Sequence, residues 1–145
     1  MSMNESELDK LNDLLANEVS ASKTYEQAKQ IVEDDVVRDQ IADCECSHKL
    51  RAEKLKTHIE ELGATPIDES AILSSVADAC SEISADAKDK DAVTALEAVE
   101  EGSLQKYQEA LENADAEVRD LLIEQLMPAQ EYTHDAVSIL KISLQ

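Results

Sequence analysis

The sequence predicts an all-α fold: a four-helix bundle of two antiparallel hairpins joined by one long crossover that contains a short helix. Three observations carry this expectation. Glycine and proline number two each in 145 residues, too few for the turns of an all-β chain. Glu, Ala, Leu, Lys and Asp dominate, which is a helical composition. Four long segments repeat apolar residues at helical spacing, and the interval between the second and third far exceeds an ordinary connection. The length is that of a single domain, expected over 1–145. With no Trp, no Phe and three Tyr, the core must be built from Leu, Ile, Val and Ala.

The first helix is expected over about 5–33, from a capping box between Asn4 and Glu7, with Leu11, Leu14, Leu15, Ala21, Ala28 and Val32 on its apolar face. The acidic "EDD" at 33–35 breaks the pattern and suits the start of the next helix. That second helix covers about 36–62, with Ile41, Leu55, Ile59 and Leu62, and Gly63 is its natural terminator. After the loop "GATPIDES" a shorter helix is expected at about 70–87, with Ile72, Val76, Ala79, Cys80 and Ile83 as its stripe. The third long helix covers about 90–113. "NADAE" closes it, and Asp115 can cap a fourth over about 116–143. Pro128 removes a backbone hydrogen bond inside the fourth helix and is expected to kink it. The 63–90 connection can reach about 40 Å, the length of a long helix, which favours a one-crossover bundle over a simple up-down one.

The formal charge is −20. So acidic a surface repels phosphate backbones and anionic lipids, so neither nucleic acid nor membrane is an expected partner. Three cysteines form no disulfide framework, and there is no CxxC. The first ten residues lack the basic and apolar regions of an export signal, and no apolar run approaches a membrane span. A cytoplasmic location is expected.

The polar residues on the apolar faces point to chemistry. Leu11, Leu14, Glu18, Ala21, Tyr25 and Ala28 share one face, as do Val93, Leu96, Glu100, Leu104, Tyr107 and Leu111. In each set a glutamate precedes a tyrosine by seven residues. The second member of each expected hairpin carries Glu-x-x-His: Glu45 with His48, and Glu131 with His134. Read this way, the chain is two copies of one hairpin. Four inward carboxylates are intolerable unless paired, and two divalent cations would cancel their charge. Residues at i and i+3 lie side by side, so each Glu-x-x-His can give a bridging carboxylate and an imidazole. Oxygen-rich ligands with one nitrogen per metal suit two iron ions, or manganese. Glu97 and Glu101 rival or supplement Glu100, and Tyr25 and Tyr107 lie near enough to bond a carboxylate or donate electrons.

These residues resemble the ferritin-like superfamily of dinuclear carboxylate bundles, and "LNDLLANEVSASKTYEQA" is similar to a bacterial ferritin-like family of unknown function. The resemblance implies Glu18 and Glu100 as terminal ligands, Glu45 and Glu131 as bridges, and His48 and His134 as terminal nitrogen ligands. It further implies Fe(II) oxidation, or reduction of dioxygen or peroxide, with a separate electron donor if the reaction is peroxidatic. The 27 residues from Glu18 to Glu45 and the 31 from Glu100 to Glu131 depart from that pattern, most of all in the first half-site. The competing expectation is a metal-free or metal-buffering helical interaction module without redox catalysis. Either would self-associate as a dimer or larger homo-oligomer.

Overall fold

The computed structural model describes residues 5–76, 80 and 88–145. The described elements are α1 (Glu5–Ile31), α2 (Asp35–Glu61), α3 (Glu69–Ser75), α4 (Lys88–Leu111), α5 (Ala116–Leu121), a π-helical turn (Leu122–Leu126) and α6 (Met127–Ser143). Among the described residues there is no strand, and no helix is long and apolar enough to cross a membrane. Asn4 of the expected capping box, and Ala79 and Ile83 of the expected short helix, lie outside the described residues.

Local chemistry sets each boundary. Asp34 caps α2, its carboxylate accepting from the amides of Val36 and Val37. At the other end Gly63 adopts φ +80, where only glycine is free of Cβ strain. Its amide donates to Glu60 O at 2.9 Å and that of Ala64 to Ile59 O at 3.2 Å, the paired bonds of a Schellman motif. Asn113, at φ 56, turns the chain after α4.

Helices α1 and α2 pack as one hairpin and α4 and α6 as the other, with α1 also against α4 and α2 against α6. Polar ties fix the directions. Asp89, at the start of α4, accepts from the amides of Glu33 and Asp34 at 2.8 and 3.1 Å, just past the end of α1. At the opposite pole Lys10 donates to Glu112 O at 3.0 Å, and Glu7 accepts from the Asp115 amide at 3.2 Å. Thus α1 and α4 run antiparallel, and the second hairpin starts at the end far from where α2 finishes. The crossover covers that distance. Its α3 lies against α1, anchored where the Ile67 amide donates to Asn12.

The expected fourth helix is divided. Pro128 has no N–H, and the turn before it widens so that the Met127 amide donates to Leu122 O, five residues back. The apolar side of this segment runs Leu122, Leu126, Val137 and Leu140, all buried. Spacing of four and three residues places Gln130 and Thr133 on the same side, and both are fully buried.

The apolar core lies in two parts. One, near the start of α1, gathers Leu11, Leu14, Leu55, Ile59, Leu122 and Leu126. The other, near its end, gathers Ala28, Val32, Ile41, Val93, Leu96 and Val137. Burying each large aliphatic side chain contributes about 1.5–3 kcal/mol. A polar layer separates the two. Replacing the cap, Asp34→Ala, should lower unfolding free energy by about 1 kcal/mol in urea denaturation, and an unchanged midpoint would contradict the role assigned to this carboxylate.

Candidate functional site, a buried ionic layer

Between the two apolar regions lie Glu18 from α1, His48 and Arg51 from α2, Glu100 from α4, and Gln130 and Thr133 from α6, each no more than 1% exposed. His48 bridges the carboxylates: Nδ1 is 3.1 Å from Glu18 Oε1 and Nε2 is 2.7 Å from Glu100 Oε2. Carboxylates only accept, so an imidazole meeting one at each nitrogen is a double donor, and hence a cation. Burial works against that charge, but the bonds to Glu100 and Glu18 outweigh it and hold the His48 pKa above its ordinary value.

Glu100 is the best-satisfied acceptor in the layer. It also accepts from Tyr25 Oη at 2.6 Å, Thr133 Oγ1 at 2.5 Å and Gln130 Nε2 at 3.2 Å. Burial alone would raise its pKa, yet His48, Thr133 and Tyr25 bring it below the usual carboxylate value. Tyr25 is pushed the other way, first by burial and then by Glu100, so its phenol stays protonated.

Arg51 closes the opposite side. Its Nη1 donates to Gln130 Oε1 at 2.5 Å and Nη2 to Thr133 Oγ1 at 2.8 Å. Its Nε lies 3.3 Å from Glu18 Oε2 while aiming its hydrogen at Ser47 O. That oxygen of Glu18 is therefore ion-paired without an aligned hydrogen bond. The formal sum is zero: Glu18 and Glu100 against His48 and Arg51. A layer balanced in this way avoids the several kcal/mol that an unpaired buried ion costs.

The two hairpins exchange tyrosines. Because α1 and α4 are antiparallel, Tyr25 does not serve Glu18 on its own helix but reaches Glu100. Tyr107, wholly buried, lies near Glu18 and Arg51, but its hydroxyl makes no aligned hydrogen bond.

The remaining expected ligands are placed differently. Glu45 is buried but turned toward Lys29 at 2.6 Å and Lys49 at 3.0 Å. Burial would raise its pKa, and the two ammonium groups lower it. Glu131 does not face the core; it is exposed, as is its neighbour Tyr132. His134 lies at the surface, Nε2 2.7 Å from Glu101 Oε1, a bond that raises its pKa. Glu97 is held by Lys141 at 2.6 Å. The correction has a geometric cause. Glu131 follows the buried Gln130 by one residue and His134 follows the buried Thr133 by one, so each is rotated about 100° from the inward side. Gln130 and Thr133 stand where the second Glu-x-x-His was expected.

This donor set does not fit two iron ions. One half supplies Glu18, His48 and Glu100; the other supplies a neutral amide, a hydroxyl and a guanidinium lying against Glu18. A divalent cation inserted there would face a fixed positive charge in a dry layer. Among the described residues no group of three or more His, Cys, Asp or Glu is arranged to hold a metal ion. Burial, with Glu100 nearby, pushes the Cys44 thiol up to about 12.

Arg51, Gln130 and Thr133 escaped the sequence reading. Arg51 follows His48 by one turn, at the margin of the apolar face, where a long cation ordinarily reaches solvent. For Gln130 and Thr133 the signal was present, in the spacing counted back from Leu140 and Val137. Urea unfolding should rank the layer. Arg51→Met should cost about 3–5 kcal/mol by stranding Glu18, and Arg51→Met with Glu18→Gln should recover most of it. Glu131→Ala with His134→Ala should stay within about 1 kcal/mol of the parent. A small effect of Arg51→Met would show that the layer is not structural.

No curated protein and no solved structure matches the chain. Residues 6–113, which carry α1 to α4 and hence Glu18, His48, Arg51 and Glu100, match the family described as a domain of unknown function, DUF2383, and the chain belongs to that family.

Proposed function

We propose that the chain is a metal-free helical interaction module. Its helix order is that of a ferritin-like bundle, but an imidazolium and a guanidinium supply the positive charge that the dinuclear pattern assigns to two metals. The observation that carries this reading is Arg51, 1% exposed and bonded to Gln130 and Thr133 beside Glu18. In a redox site that volume would belong to metal, oxidant and solvent. Here it is filled by the Arg51 guanidinium, which donates to Gln130 and Thr133 and pairs with Glu18.

A core of this kind favours binding work done outside the bundle. The layer holds four helices in one register, since each of α1, α2, α4 and α6 contributes a residue that bonds to another helix. A rigid set of helices then presents its outer faces unchanged from molecule to molecule.

The reading is tested by metal content per chain after anaerobic Fe(II) loading and desalting. The expected result is far less than one iron per chain, with thermal stability unchanged by iron. About two irons per chain, lost in Glu131→Ala/His134→Ala, would overturn it and favour oxidation of Fe(II) or reduction of dioxygen or peroxide at a dinuclear site.

A further inference from the structure

We infer that the outer face formed by α2 and α6 docks a basic amphipathic helix; the inference rests on the interaction-module reading. Val36 and Leu50 on α2, and Tyr132, Ile139 and Ile142 on α6, are between 57% and 69% exposed. They are not scattered. Tyr132 and Ile139 are seven residues apart and Val36 and Leu50 fourteen, whole pairs of turns that keep each pair on one side of its helix. The two helices lie side by side, joined by Arg51 to Gln130 and Thr133. Leu50 and Tyr132 are the immediate chain neighbours of that junction. The four residues Val36, Leu50, Tyr132 and Ile139 therefore border a shared strip.

Charge identifies the occupant. Asp39 and Asp43 stand between Val36 and Leu50 along α2, and Glu131 and Asp135 flank Tyr132 on α6; all four are exposed. Lys54 follows Leu50 by one turn, at one end of the strip. A second copy of this chain would set the same carboxylates against each other, in a molecule of charge −20. Anionic lipid is excluded on the same ground. A helix with apolar residues at i, i+4 and i+7 can lay them along the α2–α6 strip while its Lys and Arg meet the four carboxylates.

The probe is a synthetic leucine–lysine amphipathic peptide of about fourteen residues, four helical turns, carrying one Trp. The chain has no Trp, so peptide emission alone reports binding. A blue shift and saturable titration are expected. Tyr132→Ser/Ile139→Ser should weaken binding about tenfold or more, and Leu73→Ser, on α3 against the α1 side, should leave it within about twofold. All three proteins should keep the same helical circular dichroism, since these side chains are exposed. Equal binding of a scrambled peptide of the same composition, no effect of the α6 changes, or absence of binding would overturn the inference. So would a wild-type dimer in sedimentation that Ile139→Ser dissociates, since the strip would then serve self-association. Iron retention by the same preparations separates the two readings. Failed docking with no iron held overturns the docking alone, whereas two irons per chain overturns the module reading beneath it.

Discussion

A charge buried away from water must meet an opposite charge or be neutralised, and in this bundle that condition falls on Glu18 and Glu100. Each is at most 1% exposed and sits between two apolar regions. Water cannot serve them, so the protein does. His48 spans both carboxylates, and Arg51 stands against Glu18 while holding Gln130 and Thr133. Removing any one charge leaves the others uncompensated, which is why a buried pair costs far more to break than it contributes when whole.

The rest of the architecture follows from keeping that layer aligned. Glu100 draws donors from α1, α2 and α6 at once, so a slip of one helix by a turn, about 5.4 Å, would break bonds on several helices. The π turn before Pro128 belongs to the same constraint. It absorbs the missing amide of the proline and lets α6 enter with Gln130, Thr133, Val137 and Leu140 on the inner side. Glu131 and His134 then fall outside the core. His134 pairs with Glu101 at the surface, where ion pairs contribute little. The outer faces of α2 and α6 inherit their fixed geometry from the Arg51 bonds beneath them.

Much of this was legible in the sequence, for identifiable reasons. Sparse Gly and Pro, with apolar residues at helical spacing, foretold four long helices and the crossover, and Gly63 and Asp34–Asp35 marked turns that the structure contains. The inward placement of Glu18, Glu45, His48 and Glu100 also follows from spacing, because α1, α2 and α4 are uninterrupted helices. In the fourth segment the regular run of 122, 126, 130, 133, 137 and 140 marks the inward side, and the Glu-x-x-His motif lies one residue off it. Arg51 was illegible for another reason: whether an arginine at the edge of an apolar face turns in or out depends on what the neighbouring helix offers. Gln130 and Thr133 decide that, from 79 and 82 residues away.

Protein cations neutralise the layer only if His48 carries a proton on each ring nitrogen. Side-chain ¹⁵N NMR of the isolated protein at neutral pH should show both His48 ring nitrogens protonated. Its folded pKa is raised, so the stability gained from the charged form is complete below about pH 6.5 and is lost as pH rises through that higher value. A neutral imidazole at pH 7, with one ring nitrogen free to accept or to ligate, would show that protein cations do not neutralise the layer.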